Sequence, residues 1–165
     1  MLTEHSGSQY RVEKGRLDAI ITLANGDTSP GYFFVARASA RQTGRPEPVG
    51  ELLNGEQGFF PFGIDDADGT RTVLYNRRQV VMVAIADNEA RRDPGYDVAP
   101  QRWVSVLMSN GERLSGTVRV YRPEGRTRLS DWARNADTFQ YVETGEMTFL
   151  VNLAHVVEVH EVTKA

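Results

Sequence analysis

Apolar runs of five to six residues, broken by short polar turns, govern most of this chain. Ala19–Leu23 (AIITL) leads into Asn25-Gly26, and a second apolar run follows at Gly31–Ala36 (GYFFVA). Val104–Met108 (VSVLM) leads into Asn110-Gly111, and Gly116–Val120 (GTVRV) follows. Apolar runs joined by Asn-Gly predict β-hairpins, and this dipeptide suits the two positive-φ positions of a type I′ turn. Later runs at Thr72–Tyr75, Val80–Ile85, Thr148–Val151 and Val156–Val159 are also of strand length. Nothing shows a sustained helical period, so the pattern predicts an all-β protein with brief helical segments.

The runs repeat. Ala19–Val35 aligns without a gap on Val104–Val120, placing Gly26 on Gly111, Asp27 on Glu112 and Gly31 on Gly116. Val49–Phe62 aligns on Leu129–Val142, placing Leu52 on Trp132 and Phe59 on Phe139. Thr72–Val83 aligns on Thr148–Val159, placing Asn76 on Asn152. The blocks keep their order, which marks a tandem duplication. Each copy reads strand, strand, short helix, strand, strand, strand. Ser130 or Asp131 is the expected helix cap in the second copy. Asn76 and Asn152 mark a tight turn into the fifth strand, expected at Gln79–Ile85 and His155–Val162. The predicted organisation is a tail at 1–15, a first repeat at 16–86, a polar Pro- and Gly-containing linker at 87–101, and a second repeat at 102–165. Frequent turns between short strands predict two tandem five-stranded barrels or rolls of the Sm-like or SH3-like kind.

Composition narrows the chemistry. The chain has 165 residues and no cysteine, which excludes disulfides, thiolate metal ligands and a cysteine nucleophile. This fits a cytoplasmic protein. The opening MLTEHSGSQYRVEKG has no apolar core, so an export signal is not expected, and no run is long enough to span a membrane. Net charge is −3, so no bulk attraction to nucleic acid is expected.

The second copy, over about Arg102–Val162, resembles a bacterial domain family of unknown function. The resemblance rests on the NG hairpin, the Arg128-Leu129-Ser130-Asp131 segment, the strand led by Phe139, and the hydrophobic strand after Asn152. The first copy, roughly Arg16–Ala86, has PVGEL in place of RLSD. The NG turn and following glycine also resemble the Sm-like small barrels. That resemblance implies five strongly bent strands and association by edge pairing. The acidic residue, asparagine and Arg-Gly that serve RNA binding in that family are missing.

Catalytic and metal motifs are sparse. His155 and His160 fall on opposite faces of a strand and would not share an ion. Asp65, Asp66 and Asp68 precede Gly69 without the glutamate that closes a calcium loop. No P-loop, Gly-x-Ser-x-Gly or dinucleotide fingerprint occurs. No catalytic residue, metal or cofactor is therefore expected, and the chain is read as not an enzyme. Two surfaces stand out instead. Tyr32, Phe34, Met82 and Ala84 lie in strands apolar on both faces, which predicts a packing face against the other copy or another protein. Arg77, Arg78, Arg122, Arg126 and Arg128, near Tyr75, Tyr121 and Trp132, form a candidate nucleic-acid surface. The first expectation is a binding or scaffold module with a protein partner or self-association; the alternative is an Sm-like RNA-binding protein.

Overall fold

In the computed structural model the described residues are 14–36, 49–86, 98–120, 128–134 and 137–163. The first copy supplies β1 (Lys14–Leu23), β2 (Thr28–Ala36), α1 (Val49–Gly55), β3 (Phe59–Asp66), β4 (Gly69–Asn76) and β5 (Val80–Ile85). The second supplies β6 (Gln101–Met108), β7 (Arg113–Arg119), α2 (Leu129–Ala133), β8 (Phe139–Glu143), β9 (Thr148–Asn152) and β10 (Val156–Glu161). A single 3-10 turn precedes the last strand of each copy, at Arg77–Gln79 and Leu153–His155. No described helix is long and apolar enough to cross a membrane.

The ten strands form one open antiparallel sheet, in the order β10-β6-β7-β8-β9-β5-β1-β2-β3-β4, where two separate barrels were expected. Cut between β9 and β5, the halves share one internal order: fifth, first, second, third and fourth strand of each copy. The reason lies in β5, whose six residues are all buried. A strand apolar on both faces is stable only with cover on both faces. Here β5 is central, hydrogen-bonded to β1 and β9 along its two edges, while its side chains enter both cores, Val83 and Ile85 the first and Val81 and Met82 the second.

The copies match bond by bond. In the first hairpin the Leu23 N–H donates to Asp27 O, and in the second the Met108 N–H donates to Glu112 O. Asn25 Oδ1 accepts from Asp27 N at 3.0 Å, and Asn110 Oδ1 accepts from Glu112 N at 3.0 Å. Only the glycine of each pair has positive φ, 93° at Gly26 and 88° at Gly111. The turns are therefore not type I′ but a type I turn closed by a glycine bulge, a three-residue loop that Asn-Gly serves equally well. A further bulge falls at Val81 of β5, opposite Thr22 and Leu23, and its counterpart falls at Val157 of β10, opposite Leu107 and Met108. Gly31 and Gly116 mark where the third strand approaches the second most closely. A Cβ on either would lie 2.2 Å from a backbone oxygen, of Gly63 or of Glu143. Pairing there is short: two residue pairs between β2 and β3, one between β7 and β8.

Helix capping departs from expectation. Arg128 is the N-cap of α2, and Asp131 reaches back to accept the Arg128 backbone N–H at 3.0 Å. Ser130 and Asp131 thus lie inside the helix. Trp132 is buried beneath it.

Two cores form, and each borrows from the other copy. The first joins Ile21, Phe33, Val49, Leu53, Phe60, Phe62, Val83 and Ile85 to Phe139 and Leu150 of the second copy. The second joins Val104, Val106, Met108, Val118, Trp132, Val142 and Val151 to Val81 and Met82 of the first. Burial of this kind stabilises by about 25 cal/mol per Å² of apolar surface, so neither copy keeps its full core without its neighbour.

Candidate protein-contact surfaces

The seam between copies is built from backbone pairing, apolar exchange and polar side chains, among them Tyr141, whose hydroxyl accepts from the Gly50 N–H at 3.1 Å. Met82 faces Val151, Val83 faces Leu150, Ala84 faces Phe149 and Ile85 faces Thr148. The Asn152 side-chain amide donates to Val80 O at 2.9 Å and Arg77 O at 3.3 Å, while its oxygen accepts from Ala154 N. Asn54, in α1, holds the Phe139 backbone from both sides: its amide donates to Phe139 O at 2.9 Å and its oxygen accepts from Phe139 N at 2.8 Å. His155 Nε2 lies 2.8 Å from Arg78 O. A carbonyl only accepts, so Nε2 donates there, and Nδ1 lies within hydrogen-bond distance of Ser109 Oγ, 2.8 Å away.

The apolar residues singled out from sequence share one side of the sheet. Tyr32 pairs with Asp18, Ala84 with Ile20 and Met82 with Thr22, and alternation puts these on the face opposite Phe33 and Val83. Met82 and Ala84 lie in the seam, 4% and 8% exposed. Tyr32 is buried elsewhere, against Gly63 and beneath the Arg16 guanidinium, which sits 4.2 Å above its ring. Phe34 packs edge-on to Tyr32, 5.2 Å between ring centres. The structure thus brings Met82 and Ala84 to the contact between copies and leaves Tyr32 and Phe34 on β2.

The arginines are dispersed. Arg77 is buried and faces inward: Nε donates to Leu53 O, Nη2 to Leu52 O and Nη1 to Phe59 O at 2.8 Å. Its guanidinium closes the C-terminal end of α1, where carbonyls lack helical partners. Burial lowers its pKa from the ordinary arginine value, with Glu56 acting in the opposite sense. Arg77 is therefore structural and leaves the candidate nucleic-acid surface. Arg78 is exposed in the turn after β4, and Arg128 is exposed at the start of α2. Arg122 and Arg126 lie outside the described residues.

His160 pairs with Glu158 at 3.1 Å, apart from His155 and Ser109. Among the described residues, no group of three His, Asp or Glu side chains is placed to hold a metal ion. A polar cleft of about 420 Å³ lies on the second copy, lined by Gln101, Trp103, Arg119, Glu143, Glu146 and Met147 among others. Sequence reading missed it, because its walls come from strands far apart in the chain.

Sheet edges complete the inventory. Among the described strands, β4 pairs only with β3, and β10 only with β6. Among the described residues six large apolar side chains are exposed, and three lie at or next to these edges: Leu74 on β4 and Phe59 on the neighbouring β3, at 62% each, and Val157 on β10 at 65%. No protein-family model, curated protein or solved structure matches the chain.

Proposed function

We propose that the protein is a non-catalytic binding or scaffold module that works through protein–protein contacts at the edges of its sheet. The observation that carries this reading is the pair of free edges, each with an exposed apolar side chain where a paired strand would cover it. An unpaired strand presents a row of backbone donors and acceptors and is a ready template for another strand. Within this reading each copy is a strongly bent, five-stranded Sm-like roll, and the protein works in the cytoplasm, where a chain without cysteine needs no oxidative folding.

An RNA-binding role has less support. Of five arginines proposed for it, Arg77 is committed to the interior, and Arg78 and Arg128 sit on different copies, with Arg128 bonded through its backbone to the Asp131 carboxylate. Size-exclusion chromatography with light scattering, read at 260 and 280 nm together, separates the two. A protein-only absorbance ratio is expected. Excess 260 nm absorbance that is lost in Arg126→Ala/Arg128→Ala would overturn the protein-contact reading in favour of RNA.

A further inference from the structure

The edges are not merely unpaired; each is one half of a joint already made inside the molecule. β9 is the counterpart of β4, and β5 is the counterpart of β10, and β9 pairs with β5. The exposed side chains make the correspondence specific. Phe59 corresponds to Phe139, 2% exposed in the internal seam. Leu74 corresponds to Leu150, fully buried there. Val157 corresponds to Val81, also fully buried there and also the bulged residue of its strand. All three apolar residues exposed at the edges are thus counterparts of residues the seam buries.

The polar partners correspond as well. Asn76 and Asn152 cap their 3-10 turns in the same way, each accepting from the backbone N–H two residues on. The Asn152 amide also crosses the seam to Arg77 O and Val80 O. The counterparts of those carbonyls are on Leu153 and Val156, at the free β10 edge. Leu153 O already accepts from Val156 N, as Arg77 O does from Val80 N.

We infer that a second copy of this chain occupies these edges, with β4 of one copy pairing antiparallel with β10 of the next in the register of the β5–β9 seam. This rests on the protein-contact reading above and names its partner. Leu74 then faces Val159 and Tyr75 faces Glu158. Phe59 and Leu74 of one copy enter the second core of its neighbour, and the neighbour's Val157 enters the first core. The Asn76 amide donates to Leu153 O and Val156 O of that neighbour. Because two different edges meet, the contact is head to tail and leaves one edge of each kind free at the ends of any pair. Addition continues until a ring closes or a filament grows.

Two edge variants and their mixture test this. Leu74→Asp and Val157→Asp each put a charge at an exposed position, so both should fold and melt within about 2 °C of the parent. The parent is expected to have a concentration-dependent mass above 18.4 kDa by light scattering. Each variant alone should lose self-association by roughly thirtyfold or more, the loss seen for a side chain central to an interface. Mixed together, the two keep one intact β10 edge and one intact β4 edge. They should form a one-to-one pair and stop there. If either variant alone still dimerises, like edges pair with each other and the head-to-tail assignment is overturned. A parent that stays monomeric up to about 1 mM, with protein-only absorbance, overturns self-pairing and leaves contact with a different protein. An assembly that ribonuclease converts to monomers overturns both readings.

Discussion

The seam between copies and the two outer edges are built from corresponding strands of the repeat, yet the seam is sealed and the edges are open. At the seam, β5 presents Val81, Met82, Ala84 and Ile85, all at or below 8% exposure. At the outer edge the corresponding residues of β10 are Val157, Glu158, His160 and Glu161. On the other side, Phe149 and Val151 of β9 correspond to Val73 and Tyr75 of β4. Duplication supplied the geometry twice, and side-chain chemistry separates a permanent intramolecular joint from a surface. Edge strands avoid indiscriminate pairing by carrying charges, and Glu158 and Glu161 do this on β10.

The strongest challenge to this contrast is to give the seam the chemistry of the edge. Met82→Asp places a carboxylate where Met82 is 4% exposed, between Thr22 and Val151. A buried charge without a partner costs several kcal/mol. Loss of more than about 4 kcal/mol is expected, lowering the melting temperature by about 10 °C or more in a chain of this size. Calorimetry checks this. A melt unchanged by Met82→Asp would mean that β5 does not sit between β1 and β9.

Arg77 tests a place where the copies differ outright, since its counterpart is Leu153. Arg77→Leu removes the donors to the carbonyls of Leu52 and Leu53, at the end of α1, and of Phe59, at the start of β3, and leaves the Leu53 carbonyl buried and the other two partly buried. Each orphaned acceptor costs about 1–3 kcal/mol, partly offset because no charge is then desolvated. A net loss of roughly 2–3 kcal/mol is expected. The reciprocal Leu153→Arg should cost about 1 kcal/mol, less than the loss at Arg77, because Leu153 is only partly buried where it packs against the second core.

Asn152 and Asn76 give a matched pair. Both cap a turn, but only Asn152 also reaches across the seam. Asn152→Ala should cost about 2 kcal/mol, from the cap and from the lost cross-seam bonds to Val80 O and Arg77 O, the latter keeping its bond from Val80 N. Asn76→Ala should cost about 1 kcal/mol in the single chain, from the cap alone. Urea unfolding of the two variants reads the difference. Equal losses would mean that the cross-seam bonds contribute nothing.

Features set by local sequence were legible before the fold was known. The duplication, the helix after the second strand and the Asn-led turn into the fifth strand all follow from spacing and residue type. Burial of β5 on both faces was legible too, from VVMVAI. The strand that pairs with its free edge was not, because β9 lies more than sixty residues away and no local pattern names a partner. Asn-Gly fits two hairpin turns, so the dipeptide alone did not separate type I′ from the glycine bulge. Arg77 misled because an arginine beside a second arginine reads as surface. Its alignment on Leu153 was the available sign that the position faces inward.

The last contrast is sharpened by giving the edge the chemistry of the seam. Glu158 stands where the seam has Met82, and it holds His160 at 3.1 Å and Arg113 at 3.6 Å. All three side chains are about half exposed, so these pairs contribute little to the single chain. Pairing with another copy places Glu158 opposite Tyr75 and removes it from water, which opposes association. Glu158→Met removes that cost and restores the residue used at the seam. Folding stability should stay within about 0.5 kcal/mol, while self-association should tighten by roughly tenfold, about 1.4 kcal/mol. Sedimentation equilibrium of the parent and the variant measures this directly. Tighter association would show that one carboxylate keeps the outer joint reversible, whereas unchanged or weaker association would place β10 in some register other than that of β5.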